Sequence, residues 1–181
     1  FRKPKLPSNL VNALAETADQ RIWVGTSRGL VFYSQESETF NDFNLPLPEG
    51  RKPNITELMC DSKGRLWVGT NEDGFFLLEP KGDDYTVKSL HQNNSNLPGN
   101  NVSAFLQMRD GRILIGTNHG IAVYDGQRNN TYLFNQGVLN DAFVLSLFES
   151  LEGDLWVGTL NGVWIYNPMT GRDQWHFHDP F

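Results

Sequence analysis

His176 and His178 stand two residues apart, so on an extended strand both rings point to one face, the spacing of a pair of metal ligands, with Asp173 and Asp179 nearby. No convincing third ligand accompanies them, and they read as surface residues of an outer strand. Asp83 and Asp84 are adjacent; neighbouring side chains on a strand alternate sides, which makes a poor acid/base dyad. The segment Gly-Thr-x-x-Gly recurs, but a phosphate loop must open a helix and carry a lysine, and here each copy opens a strand. No catalytic residue, metal or cofactor is expected.

Asparagine is the other chemically suggestive residue. Asn-x-Ser/Thr sequons begin at Asn54, Asn93, Asn101 and Asn129. Asn54 and Asn101 precede equivalent strands, where an asparagine bonding its own turn explains them better than a glycan. The connector from Leu90 to Asn96 is rich in amides and does not repeat elsewhere. With Asn140, Asp141 and the segment Leu45 to Lys52, it is expected near one rim of the fold, where amides beside aromatics suit a carbohydrate. The candidate ligand contacts are therefore His91, Asn93, Asn94, Asn140 and Asp141, against the plain alternative of a solvated loop.

These residues are positioned by a repeat. Ile22-Trp23-Val24-Gly25-Thr26, Leu66-Trp67-Val68-Gly69-Thr70, Ile113-Leu114-Ile115-Gly116-Thr117 and Leu155-Trp156-Val157-Gly158-Thr159 are four versions of one pentapeptide, and their glycines lie 42 to 47 residues apart. That period is one four-stranded propeller blade. Before each pentapeptide comes an inner strand with aligned apolar columns: Val11, Ile55, Val102 and Val144, then Leu14, Leu58, Phe105 and Leu147, then Ala15, Met59, Leu106 and Phe148. Apolar residues on both faces predict sheets sandwiched between neighbours.

A turn separates the two strands, with glycine at Gly64, Gly111 and Gly153 but Gln20 in the first unit, where either the turn changes shape or Gln20 is strained, with Asp19 sharing the load. The tryptophans are expected to wedge between blades, each ring burying roughly 150 to 250 Å² for about 4 to 6 kcal/mol gross. Leu114 replaces one of them, and a neighbouring side chain is expected to fill the space. Hairpin loops ending in Gly29, Gly74, Gly120 and Gly162 lead to a third strand, and weaker outer strands follow near Thr39–Phe43, Tyr85–Leu90, Thr131–Phe134 and Gln174–Phe177. No stretch keeps a 3.6-residue apolar period, so no helix is predicted.

Of the 181 residues 39% are hydrophobic and 12% aromatic, enough for a substantial core. Net charge is −6 and the 15 lysines and arginines are scattered, which argues against nucleic acid. Cys60, the sole cysteine, reads as a small buried apolar residue. No apolar run is long enough to span a bilayer, so this segment is expected to make no direct membrane contact. Leu6 to Val11 repeats the connector Leu97 to Val102, and both ends are expected to fall at repeat boundaries, as in a piece of a longer array.

The pattern valine, two residues, leucine, then Gly-x-Leu-Trp-Val-Gly-Thr-x-x-Gly-Leu-x-x-Tyr resembles the two-component regulator propeller repeat. Gly64 to Thr70 and Gly153 to Thr159 match fully; Gln20 and Leu114 depart from it. The resemblance implies an all-β propeller of four-stranded antiparallel blades, residues 1–181 forming one segment with blades at about 9–45, 53–91, 100–135 and 141–178. It further implies a fragment of a larger, seven-bladed ring in the periplasmic sensor region of a hybrid histidine kinase, answering to an oligosaccharide and controlling carbohydrate-utilisation genes. Within it Trp23, Gly25, Trp67, Gly69, Leu114, Gly116, Trp156 and Gly158 are structural. The alternatives are a secreted carbohydrate-binding propeller and, behind it, a propeller lyase or hydrolase. Four blades alone leave apolar end faces, so the remaining blades, a second copy in a homodimer, or an unusual four-bladed closure is expected to cover them.

Overall fold

The computed structural model describes residues 5–128, 130–134 and 139–178, in which strands, turns and loops are the only elements. The sequon at Asn129 and the neighbour Asp179 lie outside the described residues. Four sheets form, each a four-stranded meander in chain order. They are β1 to β4 (Val11–Glu16, Ile22–Thr26, Gly29–Ser34, Thr39–Phe43), β5 to β8 (Ile55–Cys60, Leu66–Thr70, Phe75–Lys81, Asp84–Leu90), β9 to β12 (Val102–Gln107, Ile113–Thr117, Gly120–Asp125, Asn130–Leu133) and β13 to β16 (Val144–Glu149, Leu155–Thr159, Gly162–Tyr166, Asp173–His176). This is the four-bladed β-propeller segment that the repeat predicts. By packing the chain divides into two compact units, Phe1–His91 with Asn100–Val102, and Gln92–Gly99 with Ser103–Phe181.

The inner strands are bulged. Pairing shifts by one residue between Val11 and Ala13, between Ile55 and Glu57 and between Val144 and Ser146. An extra residue returns side chains three apart to the same face, which is why Val11 and Leu14, or Ile55 and Leu58, form columns despite their odd spacing. The bulged residue also joins neighbouring sheets. Asn12 Nδ2 donates to Ile55 O at 2.7 Å in the first unit, and Ser103 Oγ donates to Val144 O in the second. At the corresponding place in β13 stands Leu145, apolar and exposed.

The pentapeptide glycine is small because the next sheet approaches it. A Cβ on Gly25 would lie 2.5 Å from Ile55 Cγ2, and one on Gly116 2.6 Å from Val144 Cγ1. Beside it, Trp23 is fully buried between β1–β4 and β5–β8, its ring 5.1 Å from Phe43 and 5.4 Å from Tyr85, its Nε1 donating to Thr17 Oγ1 at 2.9 Å. Trp67 is equally buried. Leu114 meets the expectation of a filled space: it packs in one cluster with Trp164, whose indole comes from the facing side of β15. Leu114→Trp would set two indoles against one space; a loss of about 1–3 kcal/mol in urea melts is expected, part of it recovered by adding Trp164→Val.

Each pentapeptide threonine explains its own hairpin. Thr26 Oγ1 donates to Gly29 O at 2.9 Å while accepting from Arg28 N at 3.1 Å, and Thr70, Thr117 and Thr159 repeat the pattern with Gly74, Gly120 and Gly162. At the preceding turn Gln20 keeps the shape of its glycine counterparts and is the strained option: its φ is 64°, against 72° at Gly64 and 88° at Gly111 and Gly153. Asp19 does share the load, its carboxylate accepting from Thr17 Oγ1 and Arg21 N.

Leu14 is 64% exposed, Phe148 61% and Trp156 42%, the apolar end faces that four blades alone are expected to leave, so Trp156 is not wedged between sheets within its unit. Two expectations are corrected. Cys60 is only half-buried; desolvation and the nearby Asp61 and Asp19 carboxylates push its thiol pKa up and keep it protonated. Asn54 bonds across to another segment instead of its own turn, its Oδ1 accepting from Asn12 Nδ2 at 3.0 Å; Asn101 Nδ2 also reaches another segment, donating to Asn71 Oδ1 at 2.8 Å.

Candidate functional site

The connectors before β1, β5 and β13 are each tied to a hairpin of the same sheet. Ser27 N donates to Leu10 O and Asn71 N to Asn54 O in the first unit, and Leu160 N to Phe143 O in the second, at 3.0 to 3.1 Å. These connectors and hairpins therefore share one end of their sheets, the rim on which the sequence places its candidate residues.

In the first unit that rim holds a cleft of about 190 Å³ lined by Ser27, Arg51, Lys52, Asn54, Asn71, Glu72 and Asp73 with Pro53. Arg51 Nη2 pairs with Asp73 at 2.8 Å and reaches Glu72 at 3.7 Å, and Lys52 Nζ lies 3.6 Å from Asp42. The cations are matched by carboxylates, so the cleft is polar without a strong net charge. His91 follows strand β8 and packs against the Gly74 hairpin, where a Cβ would come within 2.9 Å of the His91 Cα.

The second unit carries the amide-rich connector. Gln92 Nε2 donates to Pro98 O at 2.8 Å, and Asn96 N to Asn130 Oδ1 at 3.3 Å, which holds the loop against β12. Leu97 anchors it from below and is buried. Asn96, Leu97 and Pro98 then face Tyr132 and Leu133 across an open cleft of about 430 Å³, with Tyr132 46% exposed. Asn93 and Asn94 are exposed on the same connector. Asn140 and Asp141 are exposed on the next one, which buried Leu139 anchors in the same way; Asp141 has φ of 61°.

None of His91, Asn93, Asn94, Asn140 or Asp141 lines either cleft. What the structure brings together instead is Asn96 with Tyr132, and Arg51 with Asp73. Tyr132 was legible only as an aromatic residue in a weak outer strand; its nearness to Asn96 depends on how β12 pairs with β11. Arg51 falls in the rim segment Leu45 to Lys52, but nothing local marks it.

The remaining candidates show no catalytic arrangement. The Asp83 carbonyl accepts from Arg21 Nη2 at 2.7 Å and Asp84 Oδ1 from Tyr85 N at 2.8 Å, so the pair is divided between turn and strand. His176 and His178 are exposed, and Asp173 Oδ2 accepts from Trp164 Nε1 at 2.8 Å. Among the described residues no three His, Cys, Asp or Glu side chains are grouped to hold a metal. A tyrosine face beside backbone-anchored amides can stack on one side of a sugar ring and bond its hydroxyls.

The family of the two component regulator propeller matches residues 5–28 and 50–72. None of the curated proteins matches the chain. Among solved structures, the extracellular domain assigned to the hybrid two component system BT3049 of B. thetaiotaomicron aligns at TM-score 0.74 and 24% identity, over 91% of this chain and 22% of its own. The extracellular domain assigned to the one component system BT4673 of the same organism aligns at 0.72 and 24%, over 91% and 22%. A virginiamycin B lyase from Staphylococcus aureus aligns at 0.69 with 11% identity, over 94% and 56%. These likenesses establish the propeller fold, and the chain spans about a fifth of the first two proteins.

Proposed function

We propose that this chain, which carries two component regulator propeller repeats at residues 5–28 and 50–72, is a ligand-sensing segment of a hybrid two-component sensor histidine kinase. In this reading it lies in the periplasm, is not itself an enzyme, and recognises an oligosaccharide whose arrival is relayed to carbohydrate-utilisation genes. Support comes from its relatives in fold, which include extracellular domains assigned to such systems. The observation that carries the ligand class is the cleft where Tyr132 faces Asn96 and Pro98. Its aromatic face and the Asn96 amide match a pyranose, which offers an apolar face and a rim of hydroxyls.

Binding would act by favouring one arrangement of the longer sensor over another, the change being limited to the ligand's difference in affinity between the two. The exposed side chains Leu14, Phe148 and Trp156 belong to faces that further blades or a second copy would cover.

Calorimetric titration with di- to hexasaccharides tests the reading. Heat of binding without released product is expected, and Tyr132→Ala should weaken that event at least tenfold, about 1.4 kcal/mol. Chromatographic detection of a cleaved saccharide would overturn the non-enzymatic assignment in favour of a propeller lyase or hydrolase.

A further inference from the structure

At the opposite end of the first sheet from Ser27, the β1–β2 turn and the β3–β4 turn enclose a cleft of about 400 Å³. Asp19, Gln20, Arg21, Tyr33, Gln35 and Glu36 line it, with Phe32 and Ser34. The repeat itself makes a groove here, since β13–β16 has a cleft of about 380 Å³ at the equivalent place, with Asp154, Asn167 and Arg172 on its walls. What distinguishes the first sheet is Gln20. It holds a left-handed conformation that the other turns give to glycine, and a strained side chain is retained where something outside the fold repays the strain.

Within the turn Gln20 N donates to Thr17 O at 2.8 Å and Asp19 braces the backbone, but the side chain takes no part: Gln20 is exposed, and among the described residues neither its side-chain amide nor that of Gln35 has a hydrogen-bond partner. The charged wall, in contrast, is already committed. Asp19 Oδ2 lies 3.3 Å from Arg21 Nε and accepts from Tyr85 Oη at 2.9 Å, while Arg21 Nη2 donates to Asp83 O at 2.7 Å and its guanidinium sits 5.0 Å over the Phe32 ring. A ligand for this cleft meets two unengaged amides, the Tyr33 side chain and the Glu36 carboxylate. Glu36 repels an anion, and the amides offer both donors and acceptors, the pattern that pairs with vicinal hydroxyls.

We propose that this cleft is a second saccharide subsite, specific for a neutral oligosaccharide, with Gln20 as its principal hydrogen-bonding contact. The proposal rests on the carbohydrate reading above but uses none of the residues of the Tyr132 cleft. Calorimetric titration of the whole chain and its variants with neutral and uronate-containing di- to hexasaccharides decides it.

The wild type is expected to bind a neutral saccharide in two events. Gln20→Gly should raise the melting temperature by about 2–4 °C, because the strain is relieved, and should weaken one event at least tenfold. Gln20→Asn, which tolerates the same backbone and keeps a shorter amide, should weaken it less. Tyr132→Ala should remove the other event. If Gln20→Gly gains stability and retains both events, the residue is merely strained and the proposal falls while the carbohydrate reading stands. If the wild type binds no saccharide of either kind, that reading falls and the proposal with it.

Discussion

Trp23→Ala should cost about 3–5 kcal/mol, while the same change at Trp156, in the same column of the repeat, should cost about 1 kcal/mol or less. Trp23 is fully buried, edge-on to Phe43 and Tyr85, and its Nε1 holds Thr17 Oγ1, so truncation opens a void between two sheets and leaves a buried hydroxyl with one partner fewer. Trp156 is 42% exposed. Its truncation surrenders less apolar burial and opens no enclosed void. Equilibrium urea unfolding of the two variants measures the difference directly; equal losses would mean that Trp156 is covered in solution, as it would be in a homodimer. Light scattering on the wild type then separates a self-association from a further blade.

Asp61→Ala is expected to cost a similar amount, about 3–5 kcal/mol, for a different reason. The Asp61 side chain is fully buried and its two oxygens accept from Trp67 Nε1 at 2.8 Å, Arg65 Nε at 2.7 Å, Lys63 N at 2.9 Å and Arg65 N at 3.0 Å. Removing the carboxylate takes this acceptor from the indole and leaves the largely buried guanidinium with the more distant Glu79 Oε1, 3.8 Å from its Nη1. Burial opposes the ionisation of Asp61, yet the bonds from Trp67 and Arg65 and the Arg65 charge outweigh it and hold the carboxyl below its ordinary range. Asp19 behaves alike: burial raises its pKa, and Thr17, Tyr85 and Arg21 together pull it lower.

The direction with pH follows from these depressed values. A carboxyl that is more acidic folded than unfolded contributes stability that is fully present above the unfolded pKa of about 3.9 and is lost as pH falls through the folded value. Wild-type stability should therefore be level near neutrality and fall below about pH 4. Asp61→Ala should be weaker throughout and lose less on acidification. A variant whose acid sensitivity matched the wild type would remove Asp61 as its source.

The blade architecture was legible because it is written locally. Short apolar strands, a turn glycine and the Thr-to-Gly hairpin each depend on a few consecutive residues, and a period of 42 to 47 residues then repeats them along the chain. Even the inner-strand bulge was present in the sequence, as apolar columns three apart where a regular strand would space them by two. Gln20, standing in a glycine column, marked its turn as either reshaped or strained, and Leu114 announced a missing indole.

Other features required the folded chain. That Trp164 fills the space beside Leu114 depends on β15 presenting Trp164 to the facing sheet, in the next blade and about 50 residues away. Asn12 with Asn54, Arg21 with Asp83 and Tyr85 with Asp19 are pairings between repeats, and no local pattern specifies them. The candidate site shows the same division. Residue type drew attention to the amide-rich connector, but only the pairing of β12 with β11 and the bond from Asn96 N to Asn130 bring Tyr132 to its side. The blades were determined by short-range periodicity, which a linear chain displays directly; the clefts were decided by contacts between distant segments, which exist only once the sheets have stacked.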